Sequence, residues 1–337
     1  MINRVLISVI TFFTFCSCNE DRNMDPSDEL FDRTESPVFE SPIDLAADPS
    51  ILRIGDSLML YYTAENFKIG VVFSEDDGIS WNSPNGDFDT DYAALEGNST
   101  GWDATLETID VLKVDNEYWM YYTGYVEGGD DNGGILSNYE IGLAISTDGV
   151  NFIRHPQSID NSILGRDTSN LNTNDRHAMT SPGVVYDGNT FYMIYAGWNI
   201  TDNWTGPNAG IRILGATSED GINWIKIESP LILPTDVPYN SDINEASLIR
   251  SDDGFWYIPF STGSSIGIAR SESFEGPYDI YRNEIVTPQF SWDSEVTAPD
   301  GIIENGKIRL WYHGVKAPEF WPWVIGYSEA DYPLDEW

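Results

Sequence analysis

Val111-Leu-Lys-Val-Asp-Asn116, Tyr118-Trp-Met-Tyr-Tyr122 and, after an insertion, Ile141-Gly-Leu-Ala-Ile-Ser146 read as three consecutive strands. A β-branched run meets a turn of Asp and Asn, an aromatic run follows, and a small-residue run closes the unit, which is the signature of a meander. The pattern returns in four other places. Its first strand and turn recur as Ile51-Leu-Arg-Ile-Gly-Asp56, Val184-Val-Tyr-Asp-Gly188, Leu248-Ile-Arg-Ser-Asp-Asp-Gly254 and Ile302-Ile-Glu-Asn-Gly306. Its aromatic strand recurs with last aromatics at Tyr62, Tyr122, Tyr195, Phe260 and Tyr312, at intervals of roughly sixty residues. Third strands follow at Ile69–Ser74, Ile213–Ser218, Ile266–Ser271 and Ile325–Ser328.

A lone small sheet cannot bury both faces, whereas a ring of such sheets buries each face against the next. The expected architecture is all-β, a five-bladed β-propeller. A two-sheet sandwich is the alternative, but it leaves the regular repeat unexplained. In three units the third strand runs into a Ser-Asp-Gly turn closed by an aromatic, at Ser74–Trp81, Ser146–Phe152 and Ser218–Trp224. The short polar side chains can satisfy turn amides, and the aromatic can plug the space between neighbouring sheets.

The chain has 337 residues, 41% hydrophobic and 21% charged, a globular composition with room for a large core. With 55 acidic against 17 basic residues the formal charge is −38, which argues against a nucleic-acid partner. Arg4 followed by an apolar stretch from Val5 to Phe15 is too short for a stable membrane span and reads as an export signal over residues 1–17. Phe15-Cys16-Ser17-Cys18 resembles the lipobox of bacterial lipoproteins. That resemblance implies an acylated Cys18 and a protein held by lipid in the cell envelope, at the outer membrane, with the leaflet left open; a plain secretory signal is the alternative. Residues 18–36 are polar and acidic and read as a tether, leaving 37–337 as a single catalytic propeller, taken as a monomer. Cys16 and Cys18 are the only cysteines, so a mature domain cut at Cys18 has no disulfide, thiolate metal site or cysteine nucleophile.

In a propeller the innermost strands line one channel and their starts converge on one face. Those starts read Asp48-Pro-Ser50, Thr108-Ile-Asp110, Ser181-Pro-Gly183, Glu245-Ala-Ser247 and Ala298-Pro-Asp300. Four of the five bring a carboxylate within about two residues of one point. Here the chain resembles glycoside hydrolase family 43, through Asp48–Asp56 in the first blade and Glu245 with Gly254 in the fourth; family 32 fructosidases share the layout. The resemblance implies Asp48 as general base, Glu245 as general acid and Asp110 as a sugar contact. It also implies an Asp at the start of blade three that tunes the acid, where this chain has Ser181-Pro182. Asp110 or Asp300 supplying that charge, a sister family with redistributed roles, and the absence of glycoside hydrolysis all stay open.

The chemistry itself requires one protonated and one ionised carboxyl group, and a partly dry acid cluster separates their pKa values. An inverting reaction, implied by family 43, needs them roughly 6.5 to 9.5 Å apart, and a retaining one roughly 5 to 5.5 Å. Asp300, Ser181, Arg176 and His177 are the candidate substrate-binding residues, the last two from the long insertion between Arg154 and Thr180. His155 and His313 read as structural. Trp198, Trp204, Trp321 and Trp323 fall at loops or strand ends, where indoles can stack on sugar rings. No cofactor is expected: three scattered histidines make no zinc site, and Gly128–Gly134 lacks EF-hand spacing, although a structural calcium stays open. Ser74–Trp81 fits the Asp-box of sialidases, but five units and the lack of an arginine triad argue against that activity. The expected partner is thus an oligosaccharide from a plant or algal polysaccharide, hydrolysed in the funnel. A noncatalytic glycan-binding lipoprotein, or a carbohydrate lyase or dehydratase, are the alternatives.

Overall fold

A computed structural model describes residues 30–337 except 44, 88, 127–137, 201–209, 240–242, 316–321 and 335–336. Residues 1–17, Cys18, the Gly128–Gly134 loop, Trp204 and Trp321 lie outside the described residues. The rest forms five antiparallel sheets. Blade I holds β3 (Ala46–Ile54), β4 (Ser57–Ala64), β5 (Lys68–Ser74) and β6 (Ala93–Leu95); blade II holds β7 (Thr105–Val114), β8 (Glu117–Tyr125), β9 (Glu140–Ser146) and β10 (Ile153–Arg154). Blade III holds β11 (Ala178–Tyr186), β12 (Phe191–Asn199), β13 (Gly210–Ser218) and β14 (Ile225–Lys226). Blade IV opens on β15 (Asn244–Ala246) and β16 (Ile249–Arg250), followed by β17 (Trp256–Thr262), β18 (Ser265–Ser271) and β19 (Asp279–Ile280). Blade V is β20 (Glu295–Glu304), β21 (Lys307–Val315) and β22 (Trp323–Asp331), with β1 (Asp32–Arg33) and β2 (Phe39–Glu40) from the start of the domain on its outer edge. This is the expected five-bladed β-propeller.

The hairpins turn where the sequence places residues able to take positive φ. Asp115 (φ 54°) and the pair Asn305 (φ 53°) and Gly306 (φ 73°) sit in two-residue loops between paired strands. Apolar clusters fill the seams between blades I and II, II and III, III and IV, and V and I. The Asp-box turns fasten these seams. Tyr61 of blade I donates to the Gly149 carbonyl of blade II (2.7 Å), and Tyr121 of blade II donates to Gly221 of blade III (2.9 Å). Phe152 and Trp224 meet the same two tyrosines edge-on, at 5.8 and 5.7 Å, as the plugs that the sequence anticipated.

Residues 31–36, which the sequence reading gave to the tether, belong to the folded domain. Phe31 is fully buried, Asp32 and Arg33 pair with Glu329 and Ser328, and the Arg33 guanidinium is enclosed by Asp293, the Thr287 carbonyl and the Tyr312 hydroxyl. The outer edge of β22 would otherwise present unpaired amides, and this short segment covers it. Two residues of strand carry no periodicity, so the acidic surroundings masked them.

Candidate active site in the central funnel

Each innermost strand breaks its ladder at the same place. The register slips at Asp48-Pro49, Thr108, Ser181-Pro182, Glu245 and Ala298-Pro299, so all five carry a bulge. Four of these positions hold non-glycine residues in the left-handed region: Asp48 (φ 48°), Thr108 (φ 39°), Ser181 (φ 55°) and Ala298 (φ 48°). Such backbone costs about 1–3 kcal/mol per residue and persists only where its surroundings hold it.

The holding group comes from the second strand of the preceding blade, one residue past its last aromatic. The amide of Thr108 donates to Thr63 Oγ1 (3.1 Å), that of Ser181 to Thr123 Oγ1 (3.1 Å), that of Ala298 to Ser261 Oγ (2.8 Å) and that of Asp48 to His313 Nδ1 (3.1 Å). In blade III the matching residue is Ala196, which has no acceptor, and the bulge it faces is Glu245, which is not left-handed. The clasp and the strained backbone therefore go together.

Two of these clasps also hold the acids. Thr63 Oγ1 donates to Asp48 Oδ2 (2.8 Å), and Ser261 Oγ donates to Glu245 Oε2 (3.0 Å). Asp48 and Glu245 line one cavity, with Thr108, Ser181 and Ala298 around the same ring. Burial raises the pKa of Glu245, and the charge of Asp48 raises it further, while the Ser261 hydroxyl pulls the other way. Such a carboxyl keeps its proton at a pH where an ordinary glutamate has lost it.

His313, read from the sequence as structural, lies beside Asp48 of this site. It lies inside β21 with Nδ1 3.1 Å from the Asp48 amide nitrogen and 3.3 Å from Asp48 Oδ1. A neutral ring serves the amide and a protonated ring serves the carboxylate. Burial disfavours the charged ring, but its bond to Asp48 and the charges of Asp48, Glu245 and Glu295 outweigh this and raise its pKa. Trp323 stacks on the imidazole at 5.0 Å. His155 is structural, its Nδ1 accepting from the Gln157 amide at 3.3 Å.

Asp110 and Asp300 lie on the innermost strands of blades II and V, two residues past the bulge positions Thr108 and Ala298. They line the same cavity but accept from the scaffold itself. Asp300 takes the Ile51 amide of blade I (2.6 Å) and the Ser247 hydroxyl of blade IV; Asp110 takes the Val184 amide of blade III and, at 3.4 Å, the Ser50 hydroxyl of blade I. Burial, and for Asp110 the charge of Asp300, push these carboxyls up to about 8 for Asp110 and about 6 for Asp300. Their geometry is that of staples between blades.

Ser181 is among the residues lining the cavity, but its Oγ is shut off from solvent and has no hydrogen-bond partner. Arg176 and His177 do not line it. Arg176 donates to the carbonyls of Thr168 (2.9 Å) and Asn170 (3.1 Å), and His177 is buried with Nδ1 accepting from the Ile200 amide (3.1 Å). Their insertion is fastened to the strands of blades II and III: Ser162 donates to Glu140, Lys226 to Asp175, and Asn199 to the carbonyls of Leu171 and Thr173. Trp198 is likewise buried, its Nε1 donating to Thr180 Oγ1 at 3.0 Å. Among the described residues no group of three or more His, Cys, Asp or Glu is arranged to hold a metal ion.

The sequence reading missed Glu107, one residue before the blade II bulge. Burial and the charges of Asp48 and Glu245 push its carboxyl up to about 8, against a hydrogen bond from Tyr125. Its signal was present in Thr105-Leu-Glu-Thr-Ile-Asp110, but Asp110 stood nearer to the presumed alignment.

A ring of five meanders with acids gathered at the inner bulges invites comparison with solved structures. The chain shares its fold with glycoside hydrolases. An endo-arabinase from Bacteroides thetaiotaomicron aligns at a TM-score of 0.60 with 16% identity, over 85% of this chain and 96% of that one. A thermostable family-43 glycoside hydrolase aligns at 0.61 with 18% identity, over 84% and 88%. A family 32 β-fructofuranosidase from Bombyx mori aligns at 0.60 with 18% identity, over 87% of this chain and 61% of that one. No protein-family profile and no curated protein matches the chain by sequence.

Proposed function

We propose that this protein is a glycoside hydrolase acting on oligosaccharides from plant or algal polysaccharide, with Glu245 as general acid and Asp48 as the ionised carboxylate. The observation that carries this reading is the meeting of the two acids in one funnel with unlike company. Glu245 is buried against the charge of Asp48 and so retains a proton, whereas Asp48 accepts from the Thr63 hydroxyl and lies beside His313. A sugar in the funnel would take the proton of Glu245 on its glycosidic oxygen as the bond to the anomeric carbon breaks. Asp48 then activates a water, or itself attacks that carbon. Each role contributes roughly 10²–10⁴-fold.

The decisive experiment incubates residues 19–337 with arabino-, xylo- and fructo-oligosaccharides and with anionic oligosaccharides, recording product masses. Hydrolysis adds the mass of one water, and elimination without that gain would make the protein a lyase. A noncatalytic glycan binder is the second reading, favoured by Ser181 where the family 43 resemblance implies an acid. Binding without turnover in both the wild type and Glu245→Gln would establish it. Export directed by residues 1–17, acylation of Cys18 and an outer-membrane location are further proposals from the sequence; loss of palmitate labelling in Cys18→Ser tests them.

A further inference from the structure

We propose that His313 is a positioning residue for Asp48, clasping its amide when neutral and engaging its carboxylate when protonated, so that only the neutral ring leaves Asp48 set for its role. This rests on the glycosidase reading of the funnel. At the bulges of blades II, III and V the amide is held by a threonine or serine hydroxyl, an acceptor at every pH. Blade I alone among these uses a group that titrates. His313 Nδ1 stands 3.1 Å from the Asp48 amide nitrogen, a donor, and 3.3 Å from Asp48 Oδ1, an acceptor. The first contact needs a lone pair on that nitrogen and the second needs a proton, so the two exclude each other. Nε2 meets the hydroxyl of Thr297, its ladder partner on β20, and Trp323 covers the ring at 5.0 Å. A hydroxyl oxygen can accept the Nε2 proton in either state. The ring is thus pinned, and the exchange is confined to Nδ1.

The exchange reaches the backbone of Asp48. Its left-handed conformation (φ 48°) is one that persists only where the surroundings hold it. A neutral ring holds it through the amide, while Thr63 donates to Oδ2 and Oδ1 receives no proton from the ring. A protonated ring gives its proton to Oδ1 and lets the amide go. Acidification therefore loosens the bulge and occupies a carboxylate oxygen that would otherwise activate a water. The charged groups facing the ring are Asp48 of β3, Glu245 of β15 and Glu295 of β20, all of them acids. They favour the imidazolium against the cost of burial, which sets the exchange above the ordinary histidine value.

The test is an NMR titration of the resting protein labelled with ¹⁵N in histidine and aspartate, the ring assigned by its contact with Trp323. At high pH the ring nitrogens should report the neutral tautomer with its proton on Nε2. On acidification the Asp48 amide should shift with the same midpoint as the ring, above the ordinary histidine value. In Asp48→Asn, which removes the charge, the ring midpoint should fall by at least about one pH unit, a tenfold change in proton affinity. A neutral ring protonated on Nδ1, or an Asp48 amide indifferent to the ring's titration, overturns the proposal. These readouts need no turnover, so their failure is distinct from failure of the glycosidase reading. Where turnover is found, the acid limb of kcat/KM should follow the ring's midpoint. His313→Asn, whose side-chain oxygen can accept the amide at any pH, should move that limb at least about one pH unit lower. A purely structural histidine would leave the limb in place. If His313→Asn does not fold, the wild-type titration decides.

Discussion

Two tiers of carboxylates share the central channel, and their company differs. The upper pair, Asp48 and Glu245, sits at the bulges and accepts from hydroxyls on second strands. The lower pair, Asp110 and Asp300, lies two residues on and accepts backbone amides from neighbouring blades. An acid bound to a main-chain amide is tied to the position of a strand, whereas one steadied by a hydroxyl can exchange protons without moving the scaffold. Position along the innermost strands, relative to the bulge, thus separates chemistry from architecture.

The largest effect should come from the upper tier. Glu245→Gln and Asp48→Asn are each expected to lower kcat roughly 10²–10⁴-fold, with thermal unfolding shifted by no more than a few degrees. A large loss of stability in either would erase the distinction between the tiers.

Asp300→Ala should do the reverse. It leaves the Ile51 amide and the Ser247 hydroxyl without partners, at about 1–3 kcal/mol each, and should lower the urea midpoint while activity per folded molecule stays within a few-fold. Unchanged stability with lost turnover would move Asp300 into the chemistry.

Ser261→Ala probes the link between clasp and acid. It removes one hydroxyl that serves both the Ala298 amide and Glu245, so it should cost about 1–2 kcal/mol and lower kcat several-fold at once. If only one quantity moves, the two duties are separable.

The smallest effect is in the pH dependence of stability. Asp110, held near 8 by burial and the charge of Asp300, binds its proton more tightly folded than unfolded. Its contribution is therefore complete below the ordinary carboxylate range and declines as pH rises from about 4 to 8. The turn aspartates Asp148 and Asp220 have the opposite sign: their turn amides lower their pKa, and their contribution is lost as pH falls below about 4. Asp110→Asn should flatten the decline between about pH 4 and 8 in urea titrations and leave the acid limb as it is.

The fold was legible because it is written five times: the aromatic strands, their turns and the Asp-boxes are local patterns that survive without knowledge of partners. The repeat put carboxylates at the matching point of four units, and the resemblance to family 43 singled out Asp48 and Glu245 among them. Asp110 and Asp300 were placed beside them because residues two apart in a strand face the same way, so a tolerance of two residues merged the tiers. His313 stands where the other blades have Thr63, Thr123, Ala196 and Ser261, a column that becomes meaningful only when each bulge amide is traced to its acceptor.

The sequence alone therefore determined the number of blades, the all-β class and the column of inner-strand carboxylates, because repetition and period-two alternation are properties of neighbours along the chain. The tertiary structure decided the depth of each carboxylate, the anchoring of the Arg154–Thr180 insertion to the strands of blades II and III, the capture of residues 31–40 by blade V and the place of Glu107. Those depend on where strand register slips and on which donor reaches each oxygen. Both are set by partners from other blades, dozens to hundreds of residues away.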